Sequence, residues 1–342
     1  MNSKILLTGA SGYLGQHLLW HWMTNGISLD AAGNNGDIIS YTVVAVYNQS
    51  PGFAPAVQEA LQKLSSLSSP SKVEVIPVSC DLTKSAAVDS FLERHRFHAC
   101  VHTAALSSPR ACEQDPENAK RINVPEYFFQ KLSGVRLIIA LSTDQVYDGT
   151  KDTATHGWYK EDADVPKPLN VYGQTKLDME LYLKDRTKTD GIILLRSSII
   201  LGPKAPLTKA HDTFLHFCAS RTGQETTTFF TNEYRTVVSV THACRVIQYF
   251  LQDATSTAAA AAAAAGVYHL GGPIRVNRLD MAQAVVACLG SDPQMVLPAE
   301  QTSPTSPLDI SMDSSLLERV TGIIHEPNTL RGLVELTLNN VQ

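Results

Sequence analysis

Residues 5–15 read Ile5-Leu6-Leu7-Thr8-Gly9-Ala10-Ser11-Gly12-Tyr13-Leu14-Gly15. A short apolar run passes into a glycine-rich turn, and the apolar residues that follow repeat with the period of a helix. A strand, a glycine turn and a helix in this order form a phosphate site for a dinucleotide cofactor. We expect Gly9 to permit a tight turn, Gly12 to let backbone N–H groups approach the pyrophosphate, and Gly15 to allow close packing of helix on strand. The predicted cofactor contacts in this turn are Gly9, Ser11, Gly12, Tyr13, Leu14 and Gly15.

The rest of the first 200 residues alternates apolar runs with helical patterns. Such runs lie at Thr42–Val46, Val73–Val78, Ala99–Thr103, Val135–Leu141 and Ile192–Leu195. This alternation predicts an α/β fold with a doubly wound parallel Rossmann sheet. Because the rhythm is less regular further on, we expect a smaller carboxyl-terminal lobe that binds substrate. We assign residues 1–200 with 236–270 to the NAD(P)-binding domain and residues 201–235 with 271–342 to that lobe.

Two segments stand apart from this alternation. Residues from Ile27 to Ser40 are polar and rich in turn-forming types, which predicts a surface loop inserted before the second strand. Residues from Ala258 to Ala265 are all alanine. Alanine favours helix, but its side chain is small, so we expect a linker or a helix extension that anchors no core and carries no chemistry.

Composition excludes several classes of function. The formal net charge is −5 and lysines and arginines are scattered, which argues against a nucleic-acid groove. No segment approaches the roughly 18 consecutive apolar residues of a membrane span. The six cysteines contain no C-x-x-C pair, so we expect buried thiols in a reducing compartment. The sequence enters a strand at once, which leaves no room for a signal peptide, so we expect a cytoplasmic protein. His17 and His21 lie four residues apart, but no third ligand accompanies them, so we predict no metal site.

Residues at the ends of the second, third and fourth strands extend the predicted cofactor site. The second strand ends in Tyr47-Asn48-Gln49, without the acid that usually binds the ribose of NAD, so NADP is favoured and NAD remains possible. Asp81 and Leu82 end the third strand at the ligand edge of the sheet; Asp81 accepts from an adenine amine or caps the helix that begins near Ser85. Ala104 and Ala105 follow the fourth strand and are small enough for a cofactor to lie against their backbone.

A tyrosine and a lysine four residues apart can share one helix face and work together on a reacting atom. The chain contains three such pairs: Tyr127/Lys131, Tyr147/Lys151 and Tyr172/Lys176. The first lies at the far end of its helix and the second spans a glycine turn. Only Tyr172/Lys176 begins a helix next to the ligand edge, so we predict that this pair carries the chemistry.

The reference pKa of tyrosine, about 10, is high for an acid that works near neutral pH. An ammonium ~4 Å away, at an effective dielectric constant near 20, favours the phenolate by roughly 4 kcal/mol. We therefore expect Lys176 to lower the pKa of Tyr172 toward the working range.

Four motifs together resemble one known family. They are residues 8–15, Ser142-Thr143-Asp144-Gln145-Val146-Tyr147-Asp148-Gly149, Pro168-Leu169-Asn170-Val171-Tyr172-Gly173-Gln174-Thr175-Lys176 and His269-Leu270-Gly271-Gly272-Pro273. The chain resembles the extended short-chain dehydrogenases/reductases, and within them the dTDP-4-dehydrorhamnose reductase group. Relatives of that group include the regulatory beta subunit of methionine adenosyltransferase.

This resemblance implies a reaction and the residues that perform it. The family pattern places the catalytic threonine at Thr143, the acid at Tyr172 and its partner at Lys176. A hydride from nicotinamide and a proton from Tyr172 would reduce a keto group, most naturally on a nucleotide-activated deoxysugar. The alternative implied by the regulatory relatives is an NADP-binding subunit without catalysis. We also assign Asn123 and Ser198 to the cofactor site.

The chain departs from the family pattern at several positions that bear on the substrate. Gln145 replaces an aromatic residue beside the sugar, His242 replaces an acid, and no arginine precedes the segment that starts at Pro307. The candidate substrate residues are Arg110, Asp144, Gln145 and Arg235; each arginine is equally well a surface or ion-pair residue. The expected partners are a small-molecule substrate and either a second copy of the chain or an enzyme that it regulates.

Overall fold

The computed structural model describes residues 3–27, 41–66, 73–222, 224–254 and 257–338. The strands are β1 Ser3–Thr8, β2 Tyr41–Tyr47, β3 Val73–Ser79, β4 Ala99–His102, β5 Leu137–Thr143, β6 Gly191–Ser197, β7 Ile200–Leu201, β8 Thr227–Phe230, β9 Tyr234–Thr236, β10 Val238–Ser239, β11 Gly266–Leu270, β12 Arg275–Asn277 and β13 Val296–Ala299. The helices are α1 Tyr13–Asn25, α2 Phe53–Ser65, α3 Ser85–Arg94, α4 Pro109–Gln114, α5 Pro116–Asn123, α6 Glu126–Lys131, α7 Thr153–His156, α8 Val171–Arg186, α9 Phe214–Arg221, α10 Val240–Ala254, α11 Ala258–Ala264, α12 Arg278–Leu289, α13 Ser315–Thr321 and α14 Leu330–Leu338. Two 3-10 turns lie at Asp144–Val146 and Pro293–Met295.

The main sheet has seven parallel strands in the order β11-β6-β5-β4-β1-β2-β3. The chain starts in the middle, winds outward through β2 and β3, and returns to the other side through β4, β5 and β6. This order confirms the predicted doubly wound Rossmann sheet. It also brings the carboxyl ends of β1, β4, β5 and β6 to one edge, where Thr8 pairs with His102 and Thr143 pairs with Ser197.

Both faces of the sheet are covered by helices. On β1, Leu7 belongs to a core with α1, α2, α10 and α11, while its neighbour Leu6 belongs to a second core with α3, α6 and α8. Adjacent residues of a strand point to opposite faces, so a parallel strand that is buried on both sides must be apolar throughout. This requirement explains why the strands were recognisable as continuous apolar runs.

A third core holds the carboxyl-terminal lobe together. It joins α9, α12 and α14 with small sheets made from β8, β9, β12 and β13, and it includes Leu215, Phe229 and Met281. The division into domains stays a prediction in its details. Within residues 271–342, assigned to the lobe, Leu317 of α13 packs into the core of the main sheet instead.

The structure corrects two local predictions between β4 and β5. The polar sequence from Ser107 to Glu117 predicts a loop, but this segment contains α4, which the side chain of Ser108 caps by accepting from the backbone N–H of Ala111. The sequence after it predicts one helix that runs to about Leu132, but the structure has two helices, α5 and α6. Pro125 lies between them, and proline supplies no backbone N–H for a helical hydrogen bond.

The alanine tract forms a helix that packs, contrary to the prediction that it anchors no core. Thr257 caps α11 by accepting from the N–H of Ala260. Ala261 is fully buried, and a Cβ added at Gly191 would lie 2.2 Å from its carbonyl oxygen. Small residues on both sides thus let the backbone of α11 lie directly on β6. The loop predicted from Ile27 to Ser40 falls, beyond Ile27 itself, outside the described residues.

Gly191→Ala is expected to destabilise the protein by about 1–3 kcal/mol, because the added carbon forces the backbone of α11 away from β6. Gly266→Ala is the matched control: there the added carbon would meet the Tyr268 ring at 3.5 Å, an ordinary contact distance. Urea unfolding of both variants measures the difference. Equal midpoints for the two would show that the close approach at Gly191 carries no free energy.

No helix among the described residues is long and apolar enough to cross a bilayer. They contain no group of three or more His, Cys, Asp or Glu side chains that could hold a metal ion. The six cysteines are unpaired, and five of them are buried.

Candidate functional site

A cavity of about 530 Å³ lies at the carboxyl edge of the main sheet, between the sheet and the lobe. Its walls come from the glycine turn, the ends of β4, β5 and β6, the start of α8 and the approach to α9. The lining residues are Gly9, Gly12, Tyr13, Leu14, Gly15, Thr103, Ala105, Ser107, Leu141, Ser142, Thr143, Asp144, Gln145, Tyr172, Lys176, Ser197, Ser198, Ile199, Ile200, His211, Asp212, Thr213 and Phe214. The volume is typical of sites that hold small molecules and cofactors.

The glycine turn has the geometry that its sequence predicts. Gly9 adopts φ +69°, and a Cβ there would lie 2.6 Å from the backbone nitrogen of Ala104. A Cβ on Gly15 would lie 2.3 Å from the carbonyl oxygen of Gly9. Gly12 is the N-cap of α1 and has no side chain to cover the first turn. The helix N-terminus is therefore left open to the cavity, where it can meet an anion.

Two close approaches place Tyr172 beside the end of β5. Asn170 begins α8 by accepting from the backbone N–H of Gly173 at 2.8 Å. Gly173 itself lies so close to the carbonyl oxygen of Gln145 that a Cβ would come within 2.1 Å. The first turn of α8 thus rests against the turn after Thr143, and a hydrogen bond joins Thr143 to Tyr172.

The pKa values of Tyr172 and Lys176 do not follow the prediction made from their spacing. Burial raises the pKa of Tyr172, the nearby Asp144 adds to this, and the hydrogen bond with Thr143 offsets only part. Burial lowers the pKa of Lys176 to about 8, against the opposing effect of Glu180. Lys176 Nζ donates to Met179 Sδ at 3.2 Å. The expected lowering of the Tyr172 pKa by Lys176 is therefore wrong for this structure, because desolvation of the phenol prevails.

Asp144 and Ser198 join Thr143 in one buried cluster. Thr143 donates to one carboxylate oxygen of Asp144 at 3.2 Å, and Ser198 donates to the other at 3.0 Å. The backbone N–H of Gln145 donates to Thr143 Oγ1 at 3.2 Å. Burial raises the pKa of Asp144 despite these donors and the guanidinium of Arg235. Asp144 thus holds the hydroxyl of Thr143 in place.

The two arginines proposed for the substrate lie elsewhere. Arg235 is buried, donates to the carbonyl oxygens of Tyr234, Leu308 and Pro307, and lies 3.8 Å from Asp144 and 3.3 Å from Glu233. Its donors are used inside the protein, so the structure supports the ion-pair alternative. Arg110 is exposed at the first turn of α4 and is not among the described residues that line the cavity.

Several predicted cofactor residues are not among the residues that line the cavity. Asp81 accepts from the N–H and hydroxyl of Thr83, at 2.9 and 2.7 Å, in the turn before α3. The alternative that Asp81 caps this helix is wrong, because the N-cap of α3 is Lys84. Leu82 lines a separate depression with Lys120 and Arg121.

Ser11, Ala104 and Asn123 are also not among the residues that line the cavity. Asn123 is fully buried and joins the backbone of Leu106 to the hydroxyl of Thr175. Ser11 accepts from Ser50, and the backbone of Ala104 packs against the glycine turn. These residues position the loops that form the site.

The lobe side of the cavity was not predicted from the sequence. It is formed by His211, Asp212, Thr213 and Phe214, a segment without a recognisable motif that leads into α9. Glu180, which is buried one turn beyond Lys176 on α8, was not predicted either. A signal existed for Glu180, because a glutamate eight residues after Tyr172 and four after Lys176 shares their helix face.

The parallel sheet, the glycine turn and the Thr143, Tyr172 and Lys176 set are those of the extended short-chain dehydrogenases/reductases. The model of the family described as RmlD substrate binding domain matches residues 3–340, so the chain belongs to that family. The resemblance derived from the four sequence motifs is confirmed.

Individual proteins resemble the chain to different extents. Methionine adenosyltransferase 2 subunit beta of Xenopus tropicalis is 33% identical over 138 residues, which are 40% of this chain and 39% of that protein. The match thus spans about two fifths of that relative. The structure of dTDP-4-dehydrorhamnose reductase from Bacillus anthracis in complex with NADP covers 98% of this chain and 99% of its own, with TM-score 0.69 and 18% identity. MoeE5 in complex with UDP-glucose and NAD covers 99% and 100%, with TM-score 0.71 and 18% identity. At these identities the two structures show a shared fold.

Proposed function

We propose that the protein is an NADP-dependent reductase that converts a keto group of a nucleotide-activated sugar to an alcohol. The observation that carries the proposal is the convergence of Thr143, Tyr172 and Lys176 with the glycine turn on one cavity. A reduced nicotinamide, when bound, supplies the hydride. Tyr172 then gives its proton to the developing alkoxide, and Thr143 hydrogen-bonds the same oxygen.

The residues of the cavity suit a dinucleotide. The open N-terminus of α1 can receive its pyrophosphate, and the small residues around Ala105 leave room along the wall. Lys176 supports the same assignment. Among the described residues its ammonium has one hydrogen-bond partner, the weak acceptor Met179 Sδ. It therefore has donors to offer to a nicotinamide ribose. The complexes of related folds with NADP and NAD support either form of the cofactor.

The affinity for NADPH is expected to fall by about tenfold between pH 7 and pH 9. The pKa of Lys176, lowered by burial to about 8, places the loss of its charge in this window. The ammonium is a charge-assisted donor below that pH and a neutral amine above it. Fluorescence titration of NADPH measures the effect. Lys176→Gln is the control and should bind weakly with no such step; a step that persists in this variant belongs to another group.

The relatives favour a second function, an NADP-binding regulatory subunit that docks on a partner enzyme. The supporting observation is the match to a methionine adenosyltransferase beta subunit over residues that make up 40% of this chain. In this case the cavity holds the cofactor for stability or control and Tyr172 performs no proton transfer.

One experiment separates the two functions. NADPH oxidation is measured with a panel of dTDP- and UDP-linked 4-keto sugars, and the same protein is tested for a complex with a methionine adenosyltransferase catalytic subunit. Turnover on a keto sugar supports the reductase. NADPH binding without turnover on any member, together with a stable complex, contradicts it and supports the regulatory function.

A further inference from the structure

Beneath the candidate site lies a buried ion pair that the proposed reaction does not use. Arg196 of β6 and Glu180 of α8 are 4% and 1% exposed, and neither lines the cavity of the candidate site. Three contacts join them: Nη2 to Oε2 at 2.7 Å, Nε to Oε1 at 3.1 Å and Nε to Oε2 at 3.3 Å. This is the two-pronged geometry that fixes a carboxylate most firmly.

The pair is tied to both catalytic elements. Ser142, the neighbour of Thr143 on β5, donates to Glu180 Oε1 at 2.5 Å. Glu180 lies one helical turn after Lys176 on the same face of α8. A single carboxylate thus links the strand that delivers Thr143 to the helix that carries Lys176.

Arg196 is held in turn by a second layer. Its Nη1 donates to the hydroxyl of Tyr147 at 2.8 Å, and that hydroxyl lies 2.7 Å from His269 Nε2. His269 Nδ1 faces the carbonyl oxygen of Asp313 at 3.1 Å, so Nδ1 carries the proton and Nε2 accepts from Tyr147. The hydrogen bond from Arg196 to Tyr147 therefore helps to fix the guanidinium independently of Glu180.

We propose that Glu180 is a positioning residue of the candidate site: anchored by Arg196, it holds the end of β5 through Ser142 and places a negative charge one turn behind Lys176. The assignment rests on the proposed role of Lys176 toward a cofactor. Its electrostatic consequence can be tested on the protein without any reaction.

Glu180 opposes the effect of burial on Lys176, so its removal should lower the pKa of this lysine further. Glu180 of α8 and His102 of β4 interact electrostatically with Lys176. Tyr172 and Asp144 line the same cavity as Lys176, and Arg196 is ion-paired to Glu180. Burial lowers the pKa of His102 to about 3, and Arg196 remains a cation. Neither changes charge while Lys176 titrates.

The test is a ¹³C NMR titration of protein labelled at the lysine Cε. Lys176→Arg removes one signal and so assigns it. In Glu180→Gln the pKa of that signal should fall by roughly one unit or more relative to the wild type. Asp178→Asn is the matched control, because this carboxylate on the same helix accepts from Gln174 and points away from the pair. In Asp178→Asn the pKa of the Lys176 signal should equal that of the wild type.

An unchanged Lys176 pKa in folded Glu180→Gln overturns the proposal. If the single variant fails to fold, Glu180→Gln combined with Arg196→Met removes both charges and leaves neither unpaired. A smaller fall is then expected, because the positive charge of Arg196 is removed together with the negative charge of Glu180, and an unchanged pKa again overturns the proposal. Absence of enzymatic turnover affects neither outcome, so failure of the proposed function is recognised separately.

Discussion

Tyr172→Phe is expected to reduce turnover on a keto substrate by roughly 10²- to 10⁴-fold, the usual contribution of a general acid. The phenol lines the cavity and is hydrogen-bonded to Thr143, so the loss of one oxygen removes the proton donor and leaves the ring in place. NADPH oxidation measures turnover, and fluorescence titration should show that NADPH still binds. Burial raises the pKa of Tyr172, so the phenol holds its proton at neutral pH and can act as an acid.

Tyr127→Phe provides the matched control. Tyr127 also precedes a lysine by four residues, but its hydroxyl donates to Asp89 at 2.6 Å and Lys131 lies 3.0 Å from the same carboxylate. This pair lies on α6, away from the described lining of the cavity. Its loss should leave turnover unchanged. Equal turnover by wild type and Tyr172→Phe would contradict the role of Tyr172 as the general acid.

Arg196→Met is expected to destabilise the protein by about 3–5 kcal/mol, because it leaves Glu180 buried without its counter-charge. The side chains of Arg196 and Glu180 are 5% and 1% exposed, so water cannot replace the lost partner. Urea unfolding followed by circular dichroism measures the change as a lower midpoint at unchanged slope. Adding Glu180→Gln to Arg196→Met should recover much of the loss, because the unpaired charge is then gone.

A surface pair of the same type serves for comparison. Lys63 and Glu59 approach to 2.6 Å on α2, but their side chains are 75% and 66% exposed. Lys63→Met should leave the urea midpoint almost unchanged, because water solvates the remaining carboxylate. A similarly small effect for Arg196→Met would mean that the buried pair is not held as the structure shows.

Local sequence patterns predicted the main sheet and the glycine turn well. Strands buried on both faces must be apolar, and the close approaches at Gly9 and Gly15 admit no side chain. The same reasoning nominated Tyr172 and Lys176, since their spacing and their place after β5 are both visible in the chain. These features depend on residues close together in sequence, which is why they could be recognised there.

Predictions that depended on distant neighbours fared less well. Arg235 was a candidate for binding substrate, but carbonyl groups near residue 308 and the carboxylates of Asp144 and Glu233 occupy it. The alanine tract was interpreted as a linker or helix extension that anchors no core, because nothing local indicates that Gly191 lies beneath it.

The sequence by itself determined the class of fold and the glycine turn, and it nominated Tyr172 and Lys176 as the candidate catalytic pair, because strand period, glycine spacing and helix spacing are local properties. Only the tertiary structure decided which charged side chains are paired inside the protein and which are available to a ligand. It placed Glu180 against Arg196 and Ser142 and gave the donors of Arg235 acceptors within the protein. It also buried Tyr172 and Lys176, so desolvation raises the pKa of the first and lowers the pKa of the second. Desolvation and ion pairing depend on what packs around a group, and that environment exists only once the chain has folded.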